Sequence, residues 1–187
     1  ANIFLEKAHV ITTSGTQGDR LEEDELNEMR ANVRFMRAFY NYLLLEQYGP
    51  IILVKDKVYE ATETQDVPRN TVDEVYSQVL TDYKNAVDLL PEKWDDSNLG
   101  RSTKWAVQSY IGQLNLYKGD WKASKDILKD VIDKSGYQLL PFEDYKNMFN
   151  DNQIKFNKES ILELNFIKGH TPGGYGNWAG AVSQMHS

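Results

Sequence analysis

Apolar residues stepping by three and four, namely Leu26, Met29, Val33, Met36, Tyr40 and Leu43, form one stripe along residues 22–48. That period predicts a single long α-helix. Phe35, Phe39 and Tyr42 widen the stripe, and a face this broad implies burial against more than one neighbour. Glu22, Glu23, Asp24 and Glu25 crowd the start, where the helix dipole favours anions. Gly49-Pro50 closes it. A helix of this kind has to be packed among others, so the expected fold class is mostly α.

The rest of the chain agrees. Residues 2–10 read as a helix and 12–20 as a loop with Gly15 and Gly18. Ile51–Val54 is a short extended run, and 55–70 a polar loop. Thr71-x-x-Glu74 is a capping box. It opens a helix whose Val72, Val75, Val79, Tyr83 and Ala86 face one way, ended by Pro91. After a loop over 92–102, a third helix runs to Lys118 with Val107, Tyr110, Ile111, Leu114 and Tyr117 as its stripe. Gly119 sits where a terminal glycine belongs. Asp120 caps a fourth helix that turns Trp121, Ser124, Leu128, Val131 and Ile132 inward, with Trp121 expected in the core. Residues 137–140 read as extended and 141–149 as a short helix. Residues 160–167 alternate like a strand, and a Gly-rich aromatic loop follows.

Charge and composition exclude several functions. The net charge is −7, from 21 basic and 28 acidic residues, so the basic stripe a nucleic-acid binder needs is missing. With no cysteine, these residues contain no disulfide, thiolate metal site, cysteine nucleophile or lipid-attachment cysteine. No apolar run approaches the ~20 residues that span a bilayer. The opening ANIFLEKAHVI has no basic leader. It reads as mid-helix, so the chain is expected to be an internal piece, with targeting signals outside it.

The third and fourth helices form a tight antiparallel pair. Gly112, Gly119-Asp120-Trp121, Ser124, Leu128 and Val131 occupy positions typical of a tetratricopeptide (TPR) hairpin, with Asn115 in place of the usual aromatic. Two hairpins do not finish a solenoid, so more helices are expected beyond these residues.

Five motifs in order carry a family resemblance. Ala31 to Tyr40 (ANVRFMRAFY), followed by Tyr48-Gly49-Pro50-Ile51-Ile52-Leu53-Val54, resembles the E-A-R-F-L-R-A-x-Y…Y-G-G-V-P-L-V segment of the SusD/RagB family. Arg69 to Tyr76, with Leu90-Pro91, is similar to the family's next helix. Gly100-Arg101-Ser102-Thr103-Lys104-Trp105-Ala106 through Gly119-Asp120-Trp121 resembles its G-R-A-T-K…G-D-W signature. Ser135-Gly136-Tyr137 and Asn157 to Glu163 continue the order. Ala31-Asn32-Val33 departs from the usual Glu-Ala, and Gly49-Pro50 from the fuller Gly-Gly-x-Pro turn; both are structural positions.

The resemblance implies a SusD-like α-α superhelix of TPR-like antiparallel hairpins, with long loops and little β. It implies a single incomplete domain over 1–187 whose C-terminal half lies elsewhere. It also implies an outer-membrane, cell-surface lipoprotein, lipid-anchored outside this chain, that captures glycans or peptides. Such proteins deliver nutrients to a SusC-type TonB-dependent transporter, without catalysis and without cofactor.

Nothing in the residues demands chemistry. His9, His170 and His186 share no metal-ligand spacing. Asp95-x-Ser97-x-Leu99-Gly100 resembles a calcium loop only faintly, with Ala106 where a bidentate Glu is needed. The best ligand candidates are His170, Tyr175, Asn177 and Trp178: flat aromatic faces suit sugar C–H faces, and polar neighbours suit hydroxyls. The alternative is that both aromatics simply anchor their loop. Tyr59 is a second candidate contact. Arg34 and Arg37 are expected to form salt bridges across helices. The rival reading is a TPR adaptor for protein tails, against which the long 55–70 insertion argues. A glycoside hydrolase would need a spaced carboxylate pair, to which no motif points.

Overall fold

The computed structural model describes residues 1–13, 21–55, 59, 63, 67–148 and 156–163, with backbone alone for 9–13. Six α-helices follow in order: α1 (Asn2–Thr13), α2 (Glu23–Tyr48), α3 (Val72–Val87), α4 (Lys104–Lys118), α5 (Trp121–Lys134) and α6 (Phe142–Met148). No strand occurs among the described residues. The expected strand therefore fails over 160–163, and its remainder, 164–167, lies outside the described residues. Each helix from α2 to α5 packs on the one before it, the arrangement expected of stacked hairpins.

Local chemistry sets the helix ends. Thr71 Oγ1 accepts from Glu74 N–H at 3.3 Å while Glu74 Oε2 accepts from Thr71 N–H at 2.8 Å, so the capping box is formed. The Thr71 backbone N–H holds the Glu74 carboxyl below its usual range. Asp120 accepts from Ala123 N–H at 3.1 Å and starts α5. Gly119, at φ 85°, takes the left-handed conformation that lets α4 stop and α5 begin two residues later. Asp120 N–H then donates to the Asn115 carbonyl at 2.9 Å.

The core gathers Phe35, Tyr42, Leu45, Val75, Val79, Tyr83, Val107, Ile111 and Leu114. Tyr110 of α4 joins the helices by ring contacts, 5.6 Å from Phe35 and 6.0 Å from Tyr83 between centroids. Burial pushes the Tyr83 and Tyr42 hydroxyls well above the usual phenol range.

The buried face of α2 differs from the expected one. Met29, Met36, Tyr40 and Leu43 are exposed, and Ala31, Phe35, Ala38, Tyr42 and Leu45 are buried. The true seam repeats the expected one shifted by two residues, about 200° around the helix at 3.6 residues per turn. Two apolar stripes compete, and the one holding Ala31 and Ala38, both fully buried, is the one that faces the core. Small residues let a partner helix approach closely.

Four more expectations are corrected. Trp121 is 67% exposed and Ile132 75%, because among the described residues α5 has a helix partner on one side only, which Ser124, Leu128 and Val131 face. Tyr117 and Val72 are also exposed, at the margins of their stripes. Trp105, in the first turn of α4, is buried at 4% exposure.

Arg37 forms the salt bridge expected of it. Its Nε and Nη2 grip Asp82, itself 1% exposed, at 2.8 and 2.6 Å. Its Nη1 donates to Asn2 Oδ1 at 2.9 Å and to the Lys55 carbonyl at 2.6 Å. One guanidinium thus ties α1, α2, α3 and the chain after α2. Arg34 instead reaches a carbonyl, that of Asn85, at 3.5 Å.

Candidate functional site

Three connections meet where α3 and α5 end and α4 begins. The 88–103 connection is bound to the start of α4 by Lys104 N–H, which donates to the Pro91 carbonyl at 2.9 Å. Asp95 organises the turn that follows. Its Oδ1 accepts from Ser97 Oγ at 2.6 Å, Ser97 N–H at 2.9 Å and Asn98 N–H at 3.0 Å. The Ser97 hydroxyl, with Asn98, holds this carboxyl below the usual range.

Trp94 is nearly buried, and its indole N–H donates to the Ser102 carbonyl at 2.8 Å. The Arg101 guanidinium carbon sits 5.4 Å from the Trp94 ring centroid, a cation–π contact. Gly100, at φ 92°, brings the chain past the ring of Phe156; a Cβ there would lie 3.7 Å from that ring. Phe156 itself has φ 51°, and its N–H donates to Glu163 Oε1 at 2.6 Å. Holding a bulky residue in the left-handed region costs about 1–3 kcal/mol, and the Glu163 carboxylate, by accepting that N–H, offsets part of it.

The segment 156–163 is held against the end of the hairpin. Gln138 N–H donates to the Lys158 carbonyl at 2.9 Å, and Leu140 N–H to Glu159 Oε2 at 3.0 Å. Between these segments lies a recess of about 280 Å³, lined among others by Trp94, Leu99, Arg101, Tyr137, Phe156 and Lys158. Its apolar walls and guanidinium suit a small ligand with both a hydrophobic face and polar or charged groups.

Of the residues expected at the site, His170, Tyr175, Asn177 and Trp178 lie outside the described residues. Tyr59 borders a separate recess with Leu53, Val67 and Asn70. Sequence reasoning passed over Trp94 and Phe156. The available signal was a tryptophan directly before the Asp95-Asp96-Ser97-Asn98 turn; that Phe156 meets it could not be read from spacing. Among the described residues no helix is long and apolar enough to cross a membrane, and no cluster of metal-ligating side chains occurs.

The sequence pattern of a SusD-like family, described as starch-binding and associating with the outer membrane, matches residues 1–116. A SusD-like protein of Formosa agariphila, P2, is 27% identical over 169 residues, covering 89% of this chain and 32% of its own length. The structure of a SusD-like protein from Bacteroides fragilis superposes with a TM-score of 0.75 at 30% identity, covering 88% of this chain and 31% of that one. A laminarin-binding SusD-like protein superposes at 0.73 with 25% identity, covering 86% and 34%. The chain therefore spans about a third of the length of the relatives it matches.

Proposed function

The chain belongs to the SusD-like family, and from that premise we propose that it is the helical frame of a surface protein that binds oligosaccharides for uptake. The observation that carries the reading is the stacked-helix fold shared with a laminarin-binding relative. In this reading the helices hold a fixed scaffold, and capture falls to the irregular segments. The recess over Trp94, Arg101 and Phe156 is one such segment; the loop with His170, Tyr175, Asn177 and Trp178 supplies further ligand contacts. Residues 1–187 form one incomplete domain of a longer protein, anchored to the outer membrane by lipid and delivering its ligand to a SusC-type TonB-dependent transporter. The protein binds and releases its ligand without cleaving it.

Calorimetry of the intact protein against a panel of neutral and charged oligosaccharides, with product analysis after long incubation, tests this. Saturable binding without new reducing ends is expected. Absence of binding across the panel, or turnover of a bound glycan, would refute it. Trp178→Ala is expected to weaken binding, and unchanged affinity would remove that loop from the site.

A further inference from the structure

The charge around the recess narrows the ligand class, on the premise that the protein binds glycans. Lys93, Arg101 and Lys158 line the recess against Glu92 and Glu163. Both carboxylates are already engaged, Glu92 with Lys104 Nζ at 3.4 Å and Glu163 with the Phe156 N–H at 2.6 Å. None of the three cations has an ion-pair partner among the described residues. A local surplus of positive charge on a chain of net charge −7 is the reverse of the background.

The Arg101–Trp94 contact separates neutral from charged ligands. A neutral sugar stacks on a bare aromatic face, but here the guanidinium already occupies a face of Trp94. Stacking instead fixes a planar set of donors that no acceptor among the described residues uses, the arrangement that best recognises a carboxylate or sulfate. Leu99 and Phe156, both partly exposed, leave apolar surface for the C–H face of the same ring. At about 280 Å³, near the ~300 Å³ lower end of small-ligand pockets, the recess takes one sugar unit. Lys93 and Lys158, which line the same recess, add to the positive charge of Arg101.

We propose that this recess is a subsite for an anionic sugar residue, one carrying a carboxylate or a sulfate ester, within a longer oligosaccharide. The test is calorimetry of the intact protein with three oligosaccharides of matched length: uronate-bearing, sulfated and neutral. At least one anionic ligand is expected to bind about tenfold tighter than the neutral one, the scale of one charge-assisted contact. Which of the two wins distinguishes carboxylate from sulfate. Lys93→Gln with Lys158→Gln should reduce the preference to below about threefold and weaken its salt dependence. Arg101→Gln should do the same, with circular dichroism confirming the fold of each variant. Lys118→Gln, at the opposite end of α4, should leave the preference unchanged. A neutral ligand bound as tightly as both anionic ones overturns the subsite and spares the glycan-binding reading; so does a preference that survives all three site substitutions. No binding of any of the three refutes both.

Discussion

Gly112 of α4 and Leu128 of α5 occupy space that only one side chain can fill: a Cβ on Gly112 would lie 2.4 Å from Leu128 Cδ2 and 2.5 Å from its Cγ. Beside them Ser124 Oγ donates to the Gly112 carbonyl at 2.8 Å, and Ser124 is buried. Two small residues and one hydroxyl thus set the closest approach of the hairpin.

This contact gives a double-mutant prediction. Gly112→Ala gains helix propensity of about 1 kcal/mol and loses about 1–3 kcal/mol to overpacking, so it should destabilise on balance. In a Leu128→Ala background the clash is gone and the same substitution should become neutral or stabilising. Urea unfolding of the four proteins of the cycle checks it. Strict additivity would mean that the two side chains do not compete.

Arg37 and Asp82 provide a second prediction. Arg37→Met leaves Asp82 buried and unpaired, at a cost of about 3–5 kcal/mol. Asp82→Leu alone strands the guanidinium and should also destabilise strongly. The double substitution should fall well short of the sum, because no buried charge remains without its opposite. Thermal unfolding of the three variants measures this.

Alkaline pH should unfold the protein earlier than neutral charge counting suggests. Burial raises the phenol pKa of Tyr42, Tyr76, Tyr83 and Tyr110 above the ordinary value. The unfolded chain releases these protons near pH 10, while the folded one retains them. Stability is therefore complete below about pH 10 and falls above it, by roughly 1.4 kcal/mol per pH unit for each of the deeply buried Tyr42 and Tyr83, with a smaller loss from Tyr76 and Tyr110. Tyr83 carries the clearest case. Its hydroxyl is buried with no hydrogen-bond partner among the described residues, so Tyr83→Phe should be neutral or stabilising at pH 7 and should shallow the alkaline loss. Denaturant midpoints from pH 7 to 11 report both effects.

The helices were legible because their signals are local. Thr71 and Glu74 sit three apart, Asp120 follows Gly119, and Arg37 recurs in a recognisable family segment. The seam of α2 was not legible. Met29-Val33-Met36-Tyr40 and Ala31-Phe35-Ala38-Tyr42 both satisfy the helical period, and hydrophobicity favours the first. Only the partner helix, by requiring close approach, selects the stripe with alanines. Trp121 failed for the converse reason: its position in a repeat implies a neighbour that α5 does not have among the described residues. The recess was invisible because Trp94, Arg101 and Phe156 are brought together by tertiary folding over more than fifty residues of sequence.

Hydrogen–deuterium exchange of the intact protein, with and without a bound oligosaccharide, tests the central claim most directly. If stacked helices form the fixed frame and the connections capture the ligand, protection should rise in 92–103 and 156–163 while the middle of α4 and α5 keeps its rates. Protection confined to the α4 and α5 helices, with those two connections unchanged, would contradict the account.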